Sequence, residues 1–159
     1  MRIGVPKEIK VEEYRVGMTP GIVSLLVSDG ADVVVETQAG AGVGLCDADY
    51  EAAGAKILPH ADAVFAAADM IVKVKEPQAV EIARLEPRHL LFTYLHLAAD
   101  RAQAEGLMRS GCTAIAYETV TDRAGRLPLL APMSQVAGRM AVDVGAHALL
   151  RPNGGRGLL

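Results

Sequence analysis

Cysteine is scarce in this sequence: Cys46 and Cys112 are the two in 159 residues, and they are far apart. Neither lies in a CxxC spacing, which excludes a disulfide framework and a zinc site built from thiols alone. Basic runs longer than a pair are absent as well, and the formal net charge is -3. That leaves no electrostatic footprint for nucleic acid. No apolar stretch reaches the ~18 residues that would span a membrane. The chain opens on Arg2-Ile-Gly-Val-Pro6, which has the look of a strand and not of a signal peptide. Internal repeats and low-complexity tracts are missing too. What these absences leave is a cytoplasmic enzyme or small-molecule binding domain.

The residues present fit that class. Hydrophobic residues make up 51% and charged ones 22%, a balance that favours a packed core over disorder. A chain of this length can bury roughly 70% of its unfolded surface. Five short apolar runs predict strands: Ile3–Pro6, Asp32–Glu36, Met70–Val74, Leu90–Tyr94 and Thr113–Tyr117. Continuous apolar runs belong to strands covered on both faces, as in parallel sheets.

Helical patterns separate them. Thr19-Pro20 predicts a capped start and Gly30 an end; Asp100 and Gly111 bracket another helix in the same way. Shorter helices are expected over Asp47–Ala53, Ala61–Ala67 and Ala79–Leu85. The alternation predicts an α/β fold with a doubly wound, mainly parallel sheet of Rossmann-like or flavodoxin-like type. A long helix then runs from Pro132 to about residue 150, with an apolar stripe of Met133, Val136, Met140 and Val144. Its small residues Gly138, Ala141, Gly145 and Ala148 suit a close helix contact, either between domains or subunits or within one domain. The expected division is 1–131 as a substrate domain, 132–150 as an interdomain helix, and 151–159 as a hinge. Ending on Leu158-Leu159 after a glycine loop reads like an interruption.

Open α/β sheets bind ligands at the carboxyl ends of their strands. That rule singles out Lys7, Glu8 and Arg15 after the first strand, Lys75 and Glu76 after the third run, His96 after the fourth and Glu118 after the fifth. Arg15 and Lys75 are the residue types that clamp a small carboxylate, and His96 can exchange a proton near neutral pH. Each also has a plainer reading: Arg15 paired with Glu12 or Glu13, Lys75 as a strand-end charge, His96 as a hydrogen-bonded structural histidine. His60, His89 and His147 have surface or structural roles, with His147 one turn from Asp143. Gly40-Ala-Gly-Val-Gly44 resembles a dinucleotide fingerprint, but the third glycine position falls on Leu45 and acidic Asp47–Asp49 follows. It reads as a glycine loop bordering the crevice. The segment Ala131-Pro-Met-Ser134 puts a hydroxyl and free N–H groups at a helix start, an anion site in principle, or a place where Ser134 simply caps its helix.

Together these segments resemble the alanine dehydrogenase family over the whole chain and in order. The resemblance rests on Met1-Arg-Ile-Gly-Val-Pro-Lys-Glu-Ile9, Arg15-Val-Gly-Met-Thr-Pro20, Lys73-Val-Lys-Glu-Pro77 and Phe92-Thr-Tyr-Leu-His-Leu-Ala-Ala-Asp100. It continues through Ala114-Ile-Ala-Tyr-Glu-Thr119, Leu127-Pro-Leu-Leu-Ala-Pro-Met-Ser134 and Pro152-Asn-Gly-Gly-Arg-Gly157. The resemblance implies interconversion of L-alanine with pyruvate and ammonia, with NAD as the hydride carrier. By it, Arg15 and Lys75 match substrate-carboxylate residues, His96 the catalytic acid/base, Ser134 a cofactor contact, and Glu118 a position that binds magnesium in some members. The family continues into a NAD-binding domain with a catalytic aspartate, then completes its substrate domain, and assembles as hexamers. Residues 1–159 hold no strand–GxGxxG–helix unit, so the expectation is a substrate-domain portion without useful activity by itself. The alternatives are a non-catalytic pyruvate- or alanine-binding or oligomerisation remnant, and a fragment of a transhydrogenase nucleotide-binding subunit.

Overall fold

Six short runs of aliphatic and β-branched residues line up as one parallel sheet in the computed structural model, which describes residues 1–157. The strands are β1 (Arg2–Val5), β2 (Asp32–Glu36), β3 (Lys56–Leu58), β4 (Met70–Val72), β5 (Leu90–Thr93) and β6 (Thr113–Ala116). Their order across the sheet is β3-β2-β1-β4-β5-β6, with every neighbouring pair parallel. The chain winds outward from β1 to β3, then returns to the other side of β1 to lay down β4. The switch point of this doubly wound sheet therefore lies between β1 and β4.

Strand β3 was not among the expected runs. Three residues are too few for a period to declare itself, and its pattern of one exposed and two half-buried residues is that of a sheet edge. Three expected strands are also shorter than their apolar runs. The segments 73–74, Tyr94 and Tyr117 leave the ladder and turn over the carboxyl edge of the sheet.

Helices cross over between the strands: α1 (Pro20–Ser28), α2 (Asp47–Ala52), α3 (Ala61–Ala67), α4 (Ala79–Ile82) and α5 (Arg101–Ser110). Proline starts α1, but the Thr19 side chain makes no cap bond; its carbonyl accepts from the Ile22 and Val23 amides instead. Asp100 does cap α5, accepting from the Gln103 amide at 3.0 Å, and His60 Nδ1 caps α3 by accepting from Ala63. Left-handed Gly30 and Gly111 close α1 and α5.

Two apolar clusters cover the two sheet faces. One gathers Val5, Val23, Val35, Tyr50 and Val72; the other gathers Phe65, Ile71, Leu91 and Leu107. Adjacent Ile71 and Val72 fall in different clusters because successive strand residues point to opposite faces. Gly4 lets α3 lie close to β1: a Cβ there would sit 2.7 Å from Ala68 Cβ and 2.8 Å from Val64 Cγ1. His89 is buried and structural, accepting from the Glu86 amide through Nδ1 and bonding the Phe65 carbonyl through Nε2.

The chain divides into two compact units, Met1–Tyr117 and a second beginning at Glu118. The second contains α6 (Ala131–Leu149), a 19-residue helix with no buried residue. Val136, Met140 and Val144 of its apolar stripe are exposed. Among the described residues no ion pair joins Asp143 to His147; the His147 carbonyl accepts from Asn153 Nδ2 at 2.8 Å. The apolar pair Leu158-Leu159 lies outside the described residues. No helix among the described residues is long and apolar enough to cross a membrane.

Candidate functional site

Three segments meet above the switch point: residues 6–19 after β1, 73–78 after β4 and 94–100 after β5. A buried ionic cluster ties the first two together from beneath. Lys73 Nζ donates to Glu8 Oε2 at 3.0 Å and to Glu81 Oε1 at 2.7 Å, with side-chain exposures of 0%, 2% and 3%. The other Glu8 oxygen accepts the Val74 amide at 2.6 Å and the Lys75 amide at 3.4 Å. Glu81 Oε2 accepts the Gln78 amide at 2.8 Å, closing the start of α4. A lysine in a dry interior is tolerated because both carboxylates are within hydrogen-bond reach. The clue in the sequence was a single charge inside the otherwise apolar run Met70–Val74; read as a strand residue, Lys73 concealed its role.

Arg15 is about half exposed and its guanidinium forks onto Glu13: Nε donates to Oε1 at 2.8 Å and Nη2 to Oε2 at 2.5 Å. This is the plain pairing open in the sequence, and it resolves the choice in favour of Glu13 over Glu12. The guanidinium hydrogen-bonded to it holds the Glu13 carboxyl below the usual carboxylate range, and the Lys75 charge acts in the same direction. The same bond raises Arg15, reinforced by the charges of Glu8 and Tyr94. Glu13 thus feels both arginine and lysine. It is a member of the site that sequence reasoning recognised only as an ordinary ion-pair partner.

Lys75 is half-buried, and its backbone carbonyl accepts from the Thr93 hydroxyl at 2.8 Å. Adjacent Glu76 pairs with Lys10, while its buried Oε2 has no hydrogen-bond partner. His96 is exposed and stacks on Tyr94 at 5.8 Å between ring centroids and 21° between planes. Its backbone is left-handed, with φ 48° and ψ 37°. That conformation costs a non-glycine residue about 1 kcal/mol, and here it turns the chain sharply off β5. Tyr117 supports the same edge. Its hydroxyl donates to the Lys73 carbonyl at 2.8 Å, its ring packs edge-on against Phe92 and Tyr94, and burial pushes its phenol well above the ordinary range. Arg15 is thus paired with Glu13, the Lys75 carbonyl is held by the Thr93 hydroxyl and His96 is stacked on Tyr94, each on a segment that leaves the carboxyl edge of the sheet.

The glycine-rich loop is no phosphate cradle. Residues Ala41–Val43 form a 3-10 turn, and a Cβ on Gly42 would come within 2.6 Å of the Tyr14 carbonyl oxygen. The glycines let this loop pack against the segment that carries Arg15. Asp47 accepts the Thr37 hydroxyl at 2.5 Å and the Gln38 amide at 2.7 Å, so a carboxylate already takes the nearby donors.

The second unit holds the two remaining candidates. Glu118 is half-buried in the turn Tyr117–Thr119. Among the described residues no three His, Cys, Asp or Glu side chains gather closely enough to hold a metal ion. Ser134 is exposed on α6, one turn in, and does not cap the helix. The expected free amides are not there either. Ala131 N–H donates to the Leu127 carbonyl, Met133 and Ser134 N–H both donate to the Leu130 carbonyl, and Pro132 has no N–H. A preceding turn has consumed the donors an anion would use, which leaves the Ser134 hydroxyl.

Comparison with known proteins agrees with this architecture. The family model described as "Alanine dehydrogenase/PNT, N-terminal domain" matches residues 4–137. Alanine dehydrogenase of Halomonas elongata is 56% identical over 159 residues, and that of Mycobacterium tuberculosis 53%. In both cases the match covers all of this chain but 43% of the relative's length. A solved L-alanine dehydrogenase superposes with a TM-score of 0.90 at 54% identity, covering 100% of this chain and 44% of the other. A transhydrogenase of Sinorhizobium meliloti follows at a TM-score of 0.71 and 31% identity, covering 77% and 36%. With most of its length matched by the family model and all of it by these relatives, the chain belongs to the alanine dehydrogenase/PNT N-terminal domain family.

Proposed function

We propose that this chain supplies the substrate-recognising part of an alanine dehydrogenase, which interconverts L-alanine with pyruvate and ammonia. The observation that supports the reading is that Arg15, Lys75 and His96 lie on the three segments that follow β1, β4 and β5 at the carboxyl edge of the sheet. The half-exposed guanidinium of Arg15 and the ammonium of Lys75 bind the carboxylate of the three-carbon acid. Glu13 keeps the Arg15 fork in a defined plane while its outer edge addresses the substrate. The His96 imidazole takes a proton from, and returns it to, the group on the substrate's second carbon. Tyr94, stacked on that ring, sets its plane.

NAD belongs to this reading as the hydride carrier. The described residues do not fit a dinucleotide: the glycine loop is packed against Tyr14, and the start of α6 has no free amides. Ser134 is proposed as a single hydroxyl contact, and no step here runs through the cofactor. Magnesium at Glu118 would likewise need ligands from other residues. The same reading takes 1–131 as the substrate domain, 132–150 as the helix leading to a partner domain and 151–159 as a hinge. The exposed stripe of α6 would serve a domain or homo-oligomer contact, in a protein of the cytoplasm.

Two measurements test it. Titration of pyruvate into the protein is expected to give saturable binding that Arg15→Met and Lys75→Met each weaken; no binding would reduce the chain to a remnant. The purified 159-residue chain is expected to form no NADH from alanine, and normal turnover would refute the requirement for a further domain.

A further inference from the structure

We infer that Thr93 is a positioning residue for Lys75, an inference that rests on the reading of Lys75 as a carboxylate ligand. The β4–β5 ladder ends with Val72 opposite Phe92, so the sheet itself does not hold Lys75. Two further backbone bonds extend the contact, from Lys73 N–H to the Phe92 carbonyl at 3.1 Å and from Tyr94 N–H to the Val74 carbonyl at 3.3 Å. Beyond them the Thr93 hydroxyl takes over and donates to the Lys75 carbonyl at 2.8 Å. On the other side of the residue, Glu8 accepts the Val74 and Lys75 amides. The peptide groups before and after Lys75 are thus both anchored.

Thr93 is fully buried, at 0% exposure. Valine fills the same volume and suits a strand at least as well. A hydroxyl in that position is a burden unless bonded, and its bond goes to Lys75. Strand β5 ends at Thr93 and His96 lies three residues further on, so the Thr93 bond ties the lysine backbone to the end of the strand that leads to the imidazole. Together with the two backbone bonds before it, this contact fixes the Lys75 backbone relative to the segment that leads to His96. A small displacement of a ligand of this kind weakens the productive geometry out of proportion to its size.

Thr93→Ser and Thr93→Ala decide the matter, because both lose the methyl and they differ by the hydroxyl alone. The readout is the dissociation constant for pyruvate by titration calorimetry, in the protein as the cell makes it and below the melting temperature of each variant. The serine variant is expected within about twofold of the parent and the alanine variant about five- to tenfold weaker, the loss of one hydrogen bond's net effect. A packing role would leave the two constants equal, and that result overturns the inference. Should the alanine variant fail to fold, Thr93→Val against the threonine parent removes the hydroxyl at nearly constant volume, and equal constants again overturn it. Lys75→Met is measured alongside. Undiminished pyruvate binding in that variant, or none in the parent, removes the site reading and this inference together. Weakened binding in Lys75→Met with equal serine and alanine constants removes this inference alone.

Discussion

Replacing Lys73 with methionine should destabilise the unit Met1–Tyr117 by about 3 kcal/mol. The lysine ammonium is shared by two buried carboxylates at 3.0 and 2.7 Å, and none of the three side chains is more than 3% exposed. Methionine matches the length but leaves Glu8 and Glu81 facing each other with only the Val74, Lys75 and Gln78 amides to compensate them. Removing one partner from a buried ion pair costs roughly 3–5 kcal/mol. Burial of the thioether in place of an ammonium returns about 1 kcal/mol of that. The remainder is a large share of the 5–15 kcal/mol that holds a domain of this kind together. Tyrosine fluorescence during urea unfolding is the assay, since all four tyrosines, Tyr14, Tyr50, Tyr94 and Tyr117, lie in this unit. With a urea slope of about 1–3 kcal/mol/M, the midpoint should fall by at least about 1 M. The triple variant Lys73→Met, Glu8→Gln, Glu81→Gln removes every charge of this cluster and should recover part of the loss. A single-variant midpoint within about 0.3 M of the parent would refute the argument that the lysine neutralises a dry pair of carboxylates.

Gly42→Ala drives a Cβ to 2.6 Å from the Tyr14 carbonyl oxygen. It should cost about 1–3 kcal/mol by overpacking and weaken pyruvate binding by displacing Arg15; unchanged melting and affinity would contradict the packing described. Glu13, held down by Arg15, has a folded-state value below its ordinary 4.5. Its contribution is therefore present above that ordinary value and is lost as pH falls through the lower folded one. A carboxyl titration followed by carbon-13 NMR should give a midpoint below 4.5, and a midpoint at or above it would remove the Glu13–Arg15 pair from the solution structure. His89→Leu leaves the Glu86 amide without its acceptor and removes one partner of the Phe65 carbonyl. Thermal unfolding should show a loss of about 2 kcal/mol, while pyruvate affinity in the folded variant stays at the parent value.

Much of the frame was legible in advance because it depends on local pattern. The runs around Val5, Val34, Ile71, Leu91 and Ile115 are apolar on consecutive residues, and each became a strand of the parallel sheet. Asp100 and Gly111 bracketed α5 because a capping carboxylate and a left-handed glycine act within one turn. Lys56–Leu58 was not legible, since a three-residue edge strand is recruited by its neighbour β2 and not by its own preference. The free amides expected at Ala131-Pro-Met-Ser134 also failed. Whether a helix start is preceded by a turn that occupies its donors depends on Leu127 and Leu130, which carry no polar signal.

For the candidate site, residue types and chain order by themselves determined which side chains follow which strand: Arg15 after the first, Lys75 and His96 after two later ones. Strand ends are local, and in a parallel sheet all carboxyl ends share one edge. Only the tertiary structure decided that β1 and β4 are neighbours, which brings Arg15 and Lys75 to the same switch point. It alone turned Lys73 inward onto Glu8 and Glu81, and gave Arg15 to Glu13. The longest of those pairings joins residues 65 positions apart. No period or motif encodes the Lys73 pairings; they follow from which surfaces become dry once the sheet closes, and a charge left there must find its partner.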